Sequence, residues 1–201
     1  MAIATMDDLP DPQLEQRLVA AAAAGDDDAF RRLYDAYLPR VYAYAGYRVG
    51  AAEDVADVVA EVFIKLAGGL RRFTWRGPGS FSAWLFRIAH NEVAVHYRRA
   101  AGHAPDAPLD AAPDLRDERP EATPAPETAE QAAAIRRLVR ALPPRQQEVV
   151  LLRYFGSLRN REIAAILGLD ERTVAAHHSR GLEQLRRGWA QFEAMTPGGK
   201  R

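Results

Sequence analysis

Residues 162–187 read EIAAILGLDERTVAAHHSRGLEQLRR, and this stretch places small residues, a glycine and an acid where a helix-turn-helix needs them. Ile163, Ala164 and Leu167 mark the inner side of a short first helix. Gly168 supplies a tight turn, Leu169 adds an apolar anchor, Asp170 is placed to cap the second helix, and Glu171 favours its positive end. At about 100° per residue, Val174, His178, Gly181, Leu182 and Leu185 form the inner side of that second helix. Arg172, Ala175, Ala176, Ser179, Arg180 and Glu183 then project outward, where base edges and phosphates of a major groove would lie. An ordinary helical hairpin with a solvated charged face fits the same spacing. The coincidence of glycine turn, cap and arginine excess favours the DNA-reading form.

Outward from this stretch, strand signals are nearly absent and helical periodicity recurs. The expected fold class is all-α, with two small helical domains joined by a flexible linker rich in proline and acid. Residues 1–12, with Pro10 and Pro12 among acids, read as a loose end, and 13–100 as the first domain. Residues 101–129 read as the linker, because 102–128 hold six prolines and too little apolar surface to pack. Residues 130–192 form the second domain and 193–201 a tail.

The 201 residues carry 27 basic and 27 acidic side chains, so net charge is zero and uninformative. Its distribution is not. Residues 1–70 hold 12 acids against 6 bases, and 71–99 hold 6 arginines against one acid. Residues 104–129 hold 7 acids against 2 arginines, and 130–190 hold 11 arginines against 6 acids. Two basic blocks separated by acidic ones suggest two anionic contacts and an acidic face for a protein partner. The absence of cysteine excludes disulfides and thiolate metal sites. The apolar run Leu18–Ala24 is too short to span a bilayer and no signal pattern precedes it, so a cytoplasmic protein with no membrane insertion of its own is expected.

Two further constellations matter. In Ser80–Arg99, Phe81, Trp84, Leu85, Ile88 and Val95 make an apolar stripe, while Arg87, Asn91, Ala94 and Arg98 share another face. Just upstream, Arg71-Arg72-Phe73-Thr74-Trp75-Arg76 interleaves cations with aromatics, a composition suited to single-stranded DNA. Aromatics at helical spacing also serve as core, and Trp84 is read that way. In Asp54–Leu66, Val55, Val58, Val59, Val62, Phe63 and Leu66 fall on one face, with Asp54, Asp57 and Glu61 on the other, followed by Lys65. That acidic stripe is either a solvated face or a docking face for a basic partner. His90 and His96 point to different faces, and His177 and His178 are adjacent, so no metal site is expected. No nucleophile elbow, phosphate-cradling loop or acid pair is present, so neither a catalytic residue nor a cofactor is expected.

At these residues the sequence resembles the extracytoplasmic-function group of bacterial RNA polymerase sigma factors. Gly25-Asp26 through Phe30, Leu33-Tyr34-Asp35 and Pro39-Arg40-Val41-Tyr42 resemble the start of the group's region 2 helical bundle. Residues Asp57 to Lys65 are similar to its polymerase-binding helix, and Phe81 to Asn91 to the segment that melts and reads the minus-ten element. Ala141-Leu142-Pro143-Pro144-Arg145-Gln146-Gln147-Glu148-Val149 to Tyr154 resembles the opening of region 4, whose helix-turn-helix reads the minus-thirty-five element.

The resemblance implies promoter-specific transcription initiation. The partners it implies are polymerase core (β′ clamp and β flap), promoter DNA and an anti-sigma factor. Carried onto this chain, polymerase contact falls to Asp54, Asp57, Glu61 and Lys65. Minus-ten contact falls to Arg72, Trp75, Arg76, Arg87, Asn91 and Arg98. Minus-thirty-five contact falls to Arg172, Thr173, Ala175, Ala176, His177, Ser179 and Arg180. The chain departs from the pattern at Ala60, where the group often has Gln, and at Ala175-Ala176 and His177-His178 in the recognition helix. A regulator of the LuxR type is the competing reading, since Asn160–Ala164 and Thr173–His177 also resemble its helix-turn-helix. It would require a first half of alternating strands and helices, a pattern that residues 13–99 do not show.

Overall fold

Local capping chemistry marks where three of the helices begin. The computed structural model describes residues 10–101 and 126–195, and every regular element within them is helical. Helix α1 (Pro12–Ala23) starts where the Asp11 carboxylate accepts from the backbone N–H groups of Gln13 and Leu14, both at 3.2 Å. Helix α2 (Asp27–Arg48) starts where Asp26 accepts from the Ala29 N–H at 3.0 Å. Helix α3 (Ala52–Gly69) buries Val55, Val58, Val59, Val62, Phe63 and Leu66, the stripe expected from periodicity. A single 3-10 turn, Leu70–Arg72, and a loop lead to helix α4 (Ser80–Ala100).

The second half holds α5 (Pro126–Arg140), α6 (Pro144–Gly156), α7 (Asn160–Leu167) and α8 (Glu171–Met195). Helix α5 begins inside the segment read as linker. The rest of that segment, 102–125, lies outside the described residues, as do 1–9 and 196–201. Gly168, at φ 66, turns the chain between α7 and α8 in the left-handed region that favours glycine. Asp170 caps α8 as expected: Thr173 N–H donates to its Oδ1 at 2.8 Å and the Thr173 hydroxyl to its Oδ2 at 2.6 Å.

The apolar core does not stop at the boundary between the halves. Val149, Leu151, Leu152, Phe155 and Leu158 belong to the same buried cluster as Tyr44, Leu85, Phe86 and Ala89. Helix α6 lies against both α2 and α4. The Tyr47 and Phe155 rings meet at 5.5 Å between centroids. A Cβ at Gly156 would stand 2.7 Å from Leu158 Cγ and 3.3 Å from Phe86 Cγ, so glycine here leaves room for Leu158 and for a close approach to α4. The two helical sets thus pack as neighbours in one body, an arrangement the sequence reading left open.

Candidate nucleic-acid interface

Helix α8 is anchored by Val174 and Gly181, both buried, and its other side faces out. Arg172, Ser179, Arg180 and Glu183 are exposed, as the wheel predicts, whereas Ala175, Ala176 and His177 are half-buried on the flanks. The Thr173 hydroxyl donates to Asp170, so the cap holds its rotamer and leaves only its acceptor side free. Burial, aided by the Arg180 and Arg145 guanidinium groups, lowers the His177 pKa from its ordinary value. The shift favours the neutral ring at pH 7, and Nδ1 is buried, so only Nε2 can reach outward. Burial followed by Arg153 lowers His178 in the same way.

The first half brings part of its basic segment together. Arg72, Arg76 and Arg87 line a cleft of about 460 Å³, whose apolar wall includes Phe73 and Trp84. These two rings are stacked at 4.8 Å. Trp84 is half-buried rather than sealed in the core: one side packs on Phe73 and another lines the cleft. The ring lies between Gly69 at the end of α3 and Phe73 of the following loop, with the cleft on its open side. Asn91 is exposed one helical turn beyond Arg87, Trp75 is half-buried, and neither lines the cleft. Ala94 is buried at 6% exposure, so the face drawn through Arg87, Asn91, Ala94 and Arg98 is interrupted there, and Arg98 is only half-exposed. The Phe73–Trp84 stack was missed as a pair because the two residues are 11 apart across a loop.

On α3, Asp57, Ala60 and Glu61 are exposed, and Ile64 joins them at 64% exposure. Ile64 lies off the apolar stripe, which was the available signal for an outward-facing contact residue. Asp54 and Lys65 are partly engaged elsewhere. Asp54 Oδ2 lies 3.9 Å from His96 Nε2, and Lys65 Nζ pairs with the buried Glu92 at 2.6 Å. The outward patch on this helix is therefore centred on Asp57, Ala60, Glu61 and Ile64.

Comparison with known proteins bears on both halves. Residues 33–102 match the family model for Sigma-70 region 2, and 132–185 match Sigma-70, region 4. The chain is 33% identical over 177 residues to the ECF RNA polymerase sigma factor SigD of Mycobacterium tuberculosis, covering 84% of this chain and 81% of SigD. The chain belongs to the ECF sigma factors. This family comprises DNA-binding transcription initiation factors with promoter specificity. This sigma factor is also 35% identical over 172 residues to BldN of Streptomyces coelicolor, and spans 64% of the length of BldN. The solved structure of CnrH in complex with the cytosolic domain of CnrY superposes with TM-score 0.61 at 25% identity, over 91% of this chain and 99% of CnrH. The sigma factor RpoE of Bartonella quintana shares the fold, with TM-score 0.63 at 20% identity over 80% of this chain and 96% of that one. The LuxR reading receives no support: the first half is four helices, and both family matches are to sigma regions.

Proposed function

We propose that this sigma factor engages polymerase core through the Asp57–Glu61 face of α3, captures unpaired minus-ten bases at the Arg72–Arg87 cleft and Asn91, and reads the minus-thirty-five duplex through α8. The observation that carries the reading is the pairing, in one chain, of an aromatic-arginine cleft suited to single strands with a capped recognition helix suited to duplex. No side chain here is assigned a chemical step; the work is binding, so the protein is read as a non-enzyme without cofactor. A cytoplasmic location follows from that role. No helix among the described residues is long and apolar enough to cross a membrane. An anti-sigma partner is proposed by the family resemblance, with the solved CnrH–CnrY complex as a parallel.

The deciding experiment is run-off transcription from a fragmented genomic template, using polymerase core with and without this protein. Promoter-specific transcripts that depend on it are expected. Their absence, with core binding intact, would remove the initiation role.

Two residue-level results are expected within this reading. Arg172→Ala and Arg180→Ala should each weaken duplex binding. Loss of a phosphate contact lowers the salt slope by about one unit at unchanged preference, whereas loss of a guanine contact costs roughly 1–3 kcal/mol and relaxes one base position. Wild-type affinity in both would refute the α8 assignment. Asn91 offers two donors and an acceptor to a flipped base. Asn91→Ala should keep the closed promoter complex and reduce permanganate-reactive melting, with only partial rescue on a template already unpaired at the minus-ten element.

A further inference from the structure

The aromatic-arginine cleft is built from both halves of the chain. One wall carries Arg72, Arg76 and Arg87 with Phe73 and Trp84, and the other is the start of α7, with Arg161, Glu162 and Ala165. Four arginines therefore face a single acid, and that acid is already engaged. Glu162 Oε2 accepts from the Arg159 backbone N–H at 2.7 Å, and its Oε1 lies 3.9 Å from Arg161 Nε. Arg87 Nη2 donates to the Ala165 carbonyl at 3.4 Å, which uses one of the five donors of that guanidinium. Arg72 and Arg76 are exposed and have no acidic partner among the described residues.

The aromatic part of the cleft is held rigidly. A Cβ at Gly69 would stand 2.9 Å from Trp84 Cζ2, and Phe73 stacks on the indole at 4.8 Å, so the ring is a fixed platform. The two walls are fixed by contacts away from the cleft. Glu148 of α6 is 3% exposed and meets three side chains of the first half. Arg48 Nε lies 3.0 Å from its Oε2, His90 Nδ1 lies 2.9 Å from its Oε1, and the Tyr44 hydroxyl donates to the same Oε1. Burial alone would push the Glu148 carboxyl up, but Arg48, His90 and Tyr44 together draw it down to about 2. The Ser82 hydroxyl adds a bond to the Gly156 carbonyl at 2.6 Å. A small ligand thus meets a cleft already assembled, which spares it the cost of ordering the lining.

We infer that this cleft is a site for a free nucleotide, a purine nucleoside di- or triphosphate, with its base on Trp84 and its phosphates among Arg72, Arg76, Arg87 and Arg161. Its volume of about 460 Å³ is that of a small-molecule site. The ratio of groups points to the class. A DNA strand brings one phosphate for each base, whereas here four arginines surround one aromatic platform, which matches several phosphates beside a single base. Purines present the larger face to an indole, and stacking tolerates either purine. Three of the arginines are shared with the minus-ten assignment, so nucleotide and promoter strand exclude each other. That exclusion rests on the minus-ten reading above; the nucleotide site does not.

Isothermal titration of the full chain with GTP and with ATP should give saturable one-to-one binding. Arg76→Ala and Arg161→Ala, both at exposed side chains that folding does not need, should each weaken it about tenfold. Trp84→Leu should weaken nucleotide binding by a similar factor while leaving the affinity for tripolyphosphate unchanged, since only the base has lost its platform. Guanosine and tripolyphosphate, each offering half of the ligand, should bind at least about tenfold more weakly than GTP. No saturable binding, or wild-type affinity in both arginine variants, would overturn the site. Tripolyphosphate binding as tightly as GTP would leave a general anion patch and overturn the nucleotide class. A fluorescent single-stranded minus-ten oligonucleotide separates this site from the minus-ten assignment. Arg161→Ala should keep its affinity for the oligonucleotide, because Arg161 lies outside that assignment, and GTP should displace the oligonucleotide from the wild-type protein. Nucleotide binding without displacement overturns the exclusion, whereas an oligonucleotide that no form binds fails the minus-ten assignment and leaves the nucleotide site standing.

Discussion

Asp57→Lys combined with Glu61→Lys is expected to abolish binding to polymerase core while leaving helicity and melting temperature nearly unchanged. Both side chains are exposed on α3, opposite the stripe that Val55, Val58, Val62 and Leu66 bury. Surface substitutions away from special features usually stay within about 0.5 kcal/mol of wild type, so folding gives no reason for a loss. At a docking face, by contrast, reversing two charges replaces attraction with repulsion against a basic partner, and like-charge juxtaposition costs several kcal/mol. Native electrophoresis with core, alongside circular dichroism, separates the two outcomes. Binding at wild-type strength would sink the docking assignment, and loss of fold would show that the face is buried in this protein. Ile64→Ser should weaken the same complex more mildly, since it removes apolar area and no charge.

Arg48→Met should produce a large loss of stability. Arg48 is nearly as buried as Glu148, with side-chain exposures of 9% and 4%. Removing one partner of a buried ion pair leaves the other charge desolvated, at a cost of about 3–5 kcal/mol. Wild-type protein is expected to melt in one cooperative transition, because one apolar cluster runs through both halves. In Arg48→Met, separation of the domains relieves the stranded carboxylate, so calorimetry should resolve two transitions.

The pH dependence has a definite sign. The carboxyl of Glu148 is depressed in the folded protein, so its contribution is present above its ordinary value of 4.5 and is lost as pH falls through about 2. The gap between Arg48→Met and wild type should therefore narrow across that window. A gap independent of pH would show that lost packing of the Arg48 stem, not its charge, carries the effect.

Much of this was legible in residues close together in the chain. The Asp170 cap, the Gly168 turn, the Val174 anchor and the valine stripe of α3 all follow from spacing within one or two helical turns, and each stands where periodicity put it. Trp84 shows where that logic weakens. Its position on the apolar side of α4 is periodic, but whether that side meets a helix or a loop is not written in α4. Lys65 and Glu92 are 27 residues apart, and nothing local foretells their pairing.

The amino-acid order determines an all-helical chain, a helix-turn-helix near its end, and a basic aromatic segment ahead of α4, because caps, turns and apolar periodicity act over a few residues. Only the tertiary structure decides that Glu148, the single acid of α6, leaves solvent to meet Arg48, His90 and Tyr44. Those partners lie between 58 and 104 residues away for His90 and Tyr44, and they sit on two different helices. A charge can be buried only where opposite charge and donors converge to replace its water, and that convergence is a property of packed helices rather than of any stretch of sequence.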